Sequence, residues 1–361
     1  MELTLGKRLR ELPGPIMVTG HTGFKGTWLT FLLERLEIPV VGYSLPALKG
    51  SLFERANRAG VIPEVFADIR DLDSIKAFLE LHKPAAVFHL AAQPLVLESY
   101  KIPLETFEIN VMGTANLLSE AFSIETIKAI AVITTDKVYE NNNSGRKFVE
   151  TDALAGKDPY SASKVGSEAA ISAWQQIQKI VGGPLVLSLR SGNVIGGGDW
   201  AEDRLIPDLV RAFSRNETIV LRNPESTRPW QHVLDPLLGY LMAMEYSLTE
   251  NTSGAFNFGP DSASLSVKKI TEISERTWPF PTNSHTFGIA TVNESEAFSL
   301  ALDSQKARQV LHWNPIWSQE EAVVSSIRWW DAVLNKDVDP VDTCAQDIEF
   351  ALKNIKSLST S

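Results

Sequence analysis

The chain has 361 residues, above the roughly 250–300 that one hydrophobic core supports, so two packed domains are expected. Its 44% apolar and 22% charged content belongs to a folded chain and excludes disorder as the theme. A formal net charge of −10 argues against nucleic acid or an anionic membrane as main partner, so an anionic ligand must meet local positive groups.

Cys344 is the only cysteine, which excludes an intrachain disulfide and a thiolate metal cluster and fits a reducing cytoplasm. No apolar run nears the roughly 20 residues of a membrane span, and residues 1–10 lack a signal peptide's apolar core. The six histidines show no zinc-ligand spacing, so no metal is expected.

Pro15-Ile16-Met17-Val18 reads as a first strand and runs into Thr19-Gly20-His21-Thr22-Gly23-Phe24-Lys25-Gly26, after which 28–36 continues as a helix. Strand, glycine turn and helix in that order place a dinucleotide's diphosphate on a helix N-terminus. Val40-Val41-Gly42-Tyr43 is the second strand. It ends at Ser44, where an acidic residue commonly holds the adenosine ribose, so NADP stays open beside NAD, with Lys25 a candidate for its 2′-phosphate.

A third strand at 64–67 ends at Asp68-Ile69, and a helix at 73–81 precedes a fourth strand, 86–90, that runs into Ala91-Ala92-Gln93. Residues 103–122 carry apolar side chains at helical period and predict one long helix. Ile130-Ala131-Val132-Ile133 is a buried strand delivering Thr134-Thr135-Asp136-Lys137, and Leu185-Val186-Leu187-Ser188-Leu189 is the sixth. Six strands alternating with helices predict an α/β fold, a Rossmann-type doubly wound parallel sheet over 1–190, joined by about 230–250. A second, smaller substrate-binding domain is expected over 191–229 and 251–335, followed by a polar tail over 336–361 that frays at its end.

Asp158-Pro159-Tyr160-Ser161-Ala162-Ser163-Lys164 opens a helix with Tyr160 and Lys164 on one face. An ammonium there is expected to lower the phenol from about 10 and make Tyr160 a base. Alone, such a pair is more often a solvated face, and Asp136-Lys137 an ordinary loop; their order behind the glycine turn changes the odds. In the smaller domain, Arg204, Arg222 and Arg228 flank glycine-rich and basic loops and are candidate phosphate clamps. Trp313, Trp317, Trp329 and Trp330 read as core aromatics.

The order Thr-Gly-x-x-Gly-x-x-Gly, Asp68-Ile69, Leu90-Ala91-Ala92, Asn110-Val-Met-Gly-Thr, Thr-Thr-Asp-Lys and Tyr-x-x-x-Lys resembles the extended short-chain dehydrogenase/reductase superfamily. Gly20 to Gly26, Ala91-Ala92-Gln93-Pro94-Leu95-Val96, Arg190 to Trp200 and Arg222 to Val233 look further like the nucleotide-sugar 4,6-dehydratases, in particular those acting on CDP-glucose.

That resemblance implies a recycled NAD at Gly20, Thr22, Gly23, Phe24, Lys25, Gly26, Ser44, Asp68, Ile69, Leu90, Ala91 and Ala92, beside Tyr160 and Lys164. It implies a nucleotide sugar at Gln93, Asn193, Arg204, Leu205, Arg222, Arg228 and His232, and a homodimer built on two long helices. The implied reaction turns CDP-glucose into CDP-4-keto-6-deoxyglucose and water, toward deoxysugars of surface polysaccharides. Tyr160 would take the proton of the 4-hydroxyl, with Thr135 bonded to that group, as hydride leaves C4 for the cofactor. Lys137 would take the C5 proton, Asp136 would protonate the leaving 6-hydroxyl, and the hydride would return to C6. Two stretches depart from the family pattern: the loop 142–149 lacks its tryptophans, and Leu97 replaces a basic residue. A 4-epimerase needs only the Tyr160/Lys164 part, a dehydratase for another sugar nucleotide would keep Asp136-Lys137, and a cofactor-binding sensor would need neither.

Overall fold

The computed structural model describes residues 5–142, 145–221, 223–281, 286–287 and 300–358, with the side chains of 286–287 and 356–358 left undescribed. Seven parallel strands form one sheet: β1 (Ile16–Thr19), β2 (Val40–Ser44), β3 (Glu64–Phe66), β4 (Ala86–His89), β5 (Ala129–Thr135), β6 (Leu185–Ser191) and β7 (Gly254–Phe258). Their spatial order is β7-β6-β5-β4-β1-β2-β3. Strand order reverses between β1 and β4, and the crevice at such a switch point is where ligands settle. The central strands are buried on both faces, which is why they read as unbroken apolar runs.

The seventh strand corrects the expected domain limits, because Gly254–Phe258 lies on the sheet beside β6 and not in the smaller domain. Only Phe256 and Phe258 give it apolar character, and its partner lies more than sixty residues away. The single helix expected over 103–122 is two helices, Pro103–Phe107 and Gly113–Ala121, joined by a π-helical turn at Glu108–Met112. That wider turn turns the Asn110 carbonyl outward to accept from Ser167 Oγ at 2.7 Å. It thereby ties this segment to the helix that carries Tyr160.

Four further helices position the site: α1 (Phe24–Arg35), α2 (Pro159–Val181), α3 (Leu205–Arg215) and α4 (Leu234–Glu250). The first is buried from Gly26 to Leu33, with the sheet on one side and the C-terminal helix α5 (Pro340–Leu358) on the other. Helix α5 stands where a polar, frayed tail was expected. Cys344, Ile348, Ala351 and Leu352 form a buried stripe at three- and four-residue spacing, enough to dock an otherwise polar helix. The four tryptophans Trp313, Trp317, Trp329 and Trp330 are all buried in the core.

Beyond β6 the smaller domain is built from α3 and short strand pairs, Val194–Ile195 with Gln231–His232 and Thr227–Arg228 with Leu265–Ser266. These return Arg228 and the start of α3 to the carboxyl end of the sheet. Among the described residues no helix is long and apolar enough to cross a membrane.

Candidate active site

The glycine turn is set by close backbone approach. Gly20 has φ 70°, and a Cβ there would stand 2.8 Å from the Ala91 amide nitrogen. A Cβ on Gly26 would meet the Gly20 carbonyl at 2.0 Å, so both positions are closed to side chains. Gly23 caps α1, and a Cβ on it would meet only the Gly20 carbonyl, at 3.2 Å. The first turn of α1, Phe24 included, therefore opens on the crevice with its free amides and positive dipole end, a seat for a diphosphate. Leu90 and Ala91 are held beside it by their backbone N–H groups, which donate to Thr19 Oγ1 at 3.1 and 3.2 Å. These residues fit a dinucleotide.

At the β2 end, Thr22 Oγ1 and Ser44 Oγ hydrogen-bond each other at 2.8 Å. Arg70 grips the Asp68 carboxylate at 2.7 Å, and this guanidinium holds Asp68 below the usual carboxylate range. Ile69 is buried against Gly113. Lys25 is elsewhere. Its Nζ donates to Ser191 Oγ at 2.8 Å, at the end of β6, four strand spacings or about 19 Å from β2. It cannot serve a 2′-phosphate at Ser44, which corrects that expectation.

The catalytic candidates meet where β5 ends. Asp136 opens a short 3-10 turn, its carboxylate accepting from Thr135 Oγ1 at 3.0 Å, with Lys137 beside it and half-buried. Opposite, α2 starts with a reciprocal cap between Asp158 and Ser161, and Ser99 Oγ accepts the Tyr160 amide at 3.1 Å. The Thr135 hydroxyl lies against the Tyr160 phenol. Lys164 Nζ donates to the Ile133 carbonyl at 3.2 Å. The spacing that put Tyr160 and Lys164 on one face of α2 thus aims both at the carboxyl end of β5.

Burial decides the protonation states. Asp136 is pushed up because desolvation outweighs the pull of Lys137, Thr135, Arg228 and Lys25. Burial pushes Lys164 down to about 8, against the pull of Glu168. Tyr160 goes the opposite way from the expectation, pushed up to about 12 by burial with Asp136 adding to it. The Thr135 bond and Arg204 work against that rise, while Lys164 has its ammonium on a backbone carbonyl. In the protein alone the phenol is neutral.

Two of the three expected arginine clamps converge here. Arg204 precedes α3, is ion-paired to Asp199 at 3.0 Å and acts on both Tyr160 and Lys25. Arg228 is buried, with Nη1 on the Thr227 carbonyl at 2.8 Å, and acts on Asp136. Arg222 lies outside the described residues. Leu205 opens α3, and the Asn193 carbonyl accepts from the Gln231 amide at 3.0 Å. In a chain of net charge −10, Lys25, Lys137 and Arg228 act on Asp136, with Arg204 and Lys164 acting on Lys25 close by, a local concentration of cations that suits an anionic ligand.

Two expected substrate contacts sit elsewhere. His232 is fully buried, stacked on Trp317 at 4.1 Å between ring centroids, because its strand pairs inward with Val194–Ile195. It belongs to the core, not to the ligand. The Gln93 amide donates to Thr106 Oγ1 at 3.0 Å and the Leu95 carbonyl at 3.1 Å, which commits its amide group to its own loop and the helix Pro103–Phe107. Conversely, Ser99, Ser191 and Tyr240 were not singled out by the sequence, although Ser191 stood inside a quoted motif. Tyr240 had no local signal at all, since α4 brings it in from far along the chain.

Residues 17–325 match the family model described as GDP-mannose 4,6 dehydratase. The chain belongs to that family. Among relatives of these dehydratases, a CDP-glucose 4,6-dehydratase of Salmonella typhimurium is 40% identical over 335 residues, covering 88% of this chain and 90% of the relative. The solved structure of DesIV, a dTDP-glucose 4,6-dehydratase from Streptomyces venezuelae with NAD and TYD bound, superposes with a TM-score of 0.75 at 22% identity. It covers 91% of this chain and 99% of that one. A UDP-glucose-4-epimerase from Stenotrophomonas maltophila with bound NAD and formylated UDP-arabinopyranose gives 0.78 at 20% identity, over 89% and 98%. At such identities the two structures establish the shared fold alone.

Proposed function

We propose that the chain is an NAD-dependent hydro-lyase that converts CDP-D-glucose to CDP-4-keto-6-deoxy-D-glucose and water. The observation that carries this reading is the buried Asp136, hydrogen-bonded by Thr135 and flanked by Lys137, directly across from Tyr160 and Lys164. Oxidation at C4 needs only the last pair. A carboxyl group placed next to an amine is what elimination across C5 and C6 adds, and epimerisation has no use for it. The 40% identity to a CDP-glucose 4,6-dehydratase supports the nucleotide and sugar.

The glycine turn of Gly20, Gly23 and Gly26, with Thr22, Phe24, Ser44, Asp68, Ile69, Leu90, Ala91 and Ala92, would hold NAD. NAD supplies reversible hydride acceptance. Tyr160 takes the proton of the sugar 4-hydroxyl, its phenol brought down by Thr135, Arg204 and the positive charge of the oxidised cofactor. Lys137 removes the proton at C5, acidified by the new ketone, and Asp136 protonates the 6-hydroxyl as water departs; return of the hydride to C6 and of the proton to C5 completes the 6-deoxy product. Arg204 and Arg228, with Asn193 and Leu205 at the same wall, hold the sugar nucleotide's diphosphate.

The same reading places the protein in the cytoplasm, in deoxysugar synthesis for surface polysaccharides such as O-antigen. It also makes the protein a homodimer. Leu104, Phe107 and Met112 are 73%, 40% and 54% exposed along one side, and Ala169, Ser172 and Ala173 line α2 with small exposed side chains. Two such faces could close a four-helix contact between copies.

The test is incubation of purified protein with CDP-glucose and, in parallel, UDP-, dTDP- and GDP-sugars. A 4-keto product absorbing in alkali, with loss of one water by mass and with CDP-glucose preferred, is expected. An isomer of unchanged mass would replace the reading with epimerisation, and product from another nucleotide alone would overturn the substrate.

A further inference from the structure

Lys25 is a half-buried residue whose amine the reaction scheme leaves idle. It enters from the second residue of α1, yet its Nζ ends at the reaction centre, donating to Ser191 Oγ at 2.8 Å and to Tyr240 Oη at 3.3 Å. Those two hydroxyls bond each other at 2.7 Å. Among the described residues no carboxylate pairs with it, and a buried ammonium without a counter-charge is costly. The charged and titratable groups facing it come from every neighbouring element: Lys164 on α2, Arg204 before α3, Asp136 after β5 and Tyr240 on α4, which in turn feels Tyr160. Arg204 and Lys164 push the amine down, and Asp136 pulls the other way. The setting is thus one more positive charge away from expelling the proton on Lys25.

We infer that Lys25, cradled by Ser191 and Tyr240, exchanges its proton with the charge of the cofactor ring, so that it is neutral beside the oxidised ring and an ammonium beside the reduced one. The inference rests on the proposed NAD-linked reaction, because the hydride acceptor must lie against the carbinol that Tyr160 holds. An oxidised nicotinamide carries a positive charge that reduction removes, and like charges in a desolvated site disfavour each other. Burial together with Arg204 and Lys164 already brings Lys25 down to about 7, where a single added charge shifts its occupancy most. Lys25 would then be a positioning residue that sets the balance between the two redox forms, with no direct part in bond making.

The test needs no turnover. The full-length chain, freed of copurified dinucleotide, is titrated with NAD and with NADH from pH 6 to 8.5, following nicotinamide fluorescence and heat. In the wild type the ratio of the NAD to the NADH dissociation constant should rise on acidification, by up to about tenfold per pH unit between the amine's pKa in the two complexes, and level off below both, as one linked proton requires. Lys25→Met should flatten that ratio while binding both forms. Tyr240→Phe, which keeps the amine and removes one acceptor, should move the midpoint to lower pH. A ratio flat in the wild type, or unchanged in slope in Lys25→Met, would overturn the inference. Equal tightening of both forms on acidification would overturn it too, and would make Lys25 a counter-charge for the diphosphate. Failure of either dinucleotide to bind would instead remove the cofactor reading on which it rests.

Discussion

Arg190 and Glu168 meet side by side in the interior, with Nε and Nη2 of the arginine donating to the two carboxylate oxygens at 2.9 and 2.8 Å. Glu168 lies one turn beyond Lys164 on α2 and also accepts from Thr134 and Ser188. Arg190 spends its remaining nitrogen on Tyr139 Oη and the Glu150 carbonyl at 2.8 and 3.0 Å. One ion pair therefore locks the Tyr160 helix to β5, β6 and the segment leading away from Lys137. Glu168→Ala strands a buried guanidinium and should cost about 3–5 kcal/mol of stability in denaturant unfolding. A loss under about 1 kcal/mol would show that the pair is dispensable.

Tyr160→Phe removes the hydroxyl but leaves the ring, whose packing does not need it. Oxidation at C4 should fall by about 10²–10⁴-fold with an unchanged melting temperature. Reduced cofactor should fail to form on mixing with sugar nucleotide, as read at the nicotinamide absorbance. Turnover near the wild-type rate would eliminate Tyr160 as the base.

Lys137→Met leaves Tyr160 and Lys164 intact and deletes the amine next to Asp136. The expected outcome is hydride transfer to the cofactor followed by a stall, so reduced cofactor accumulates in a single turnover and dehydrated product does not. Asp136→Asn should stall at the same stage by withholding the proton from the 6-hydroxyl. Steady product release from either variant would sink that residue's role.

Arg228→Ala takes a buried cation from beside Asp136. One charge-assisted phosphate bond is worth about 1.5–3 kcal/mol, so KM should rise by about ten- to a hundredfold with kcat changed less. An unchanged KM would take Arg228 out of the ligand site.

Asp235 offers a pH test away from the site. Its carboxyl is buried, accepts from the Ile316 amide at 2.7 Å, and is pushed up to about 8 by burial. An unfolded aspartate ionises near 4, at about 3.9. Between those values the unfolded chain releases a proton that the folded protein retains, so this group costs stability progressively as pH rises from about 4 to 8. Asp235→Asn keeps an oxygen for Ile316 and removes the titration. The difference in melting temperature should therefore move in the variant's favour across that range. Parallel curves for the two proteins would contradict the burial of a neutral carboxyl.

The sequence by itself determined what is written in contiguous residues. Apolar runs name six of the seven strands, the glycine spacing names the turn before α1, and a four-residue interval puts Tyr160 and Lys164 on one face. Local period and local sterics suffice for each of these. Tertiary structure decided whatever depends on a distant neighbour. Gly254–Phe258 is a strand because β6 offers it an edge, and α5 is a docked helix because α1 and the helix Gln319–Asn335 leave a surface for its buried stripe. Lys25 ends 166 residues away in sequence, at Ser191, rather than near Ser44. His232 turns into the core on a strand pair that no motif announces. Tyr160 rises to about 12 rather than falling, because desolvation sums over all the surrounding matter while a pattern shows only the one cation four residues on.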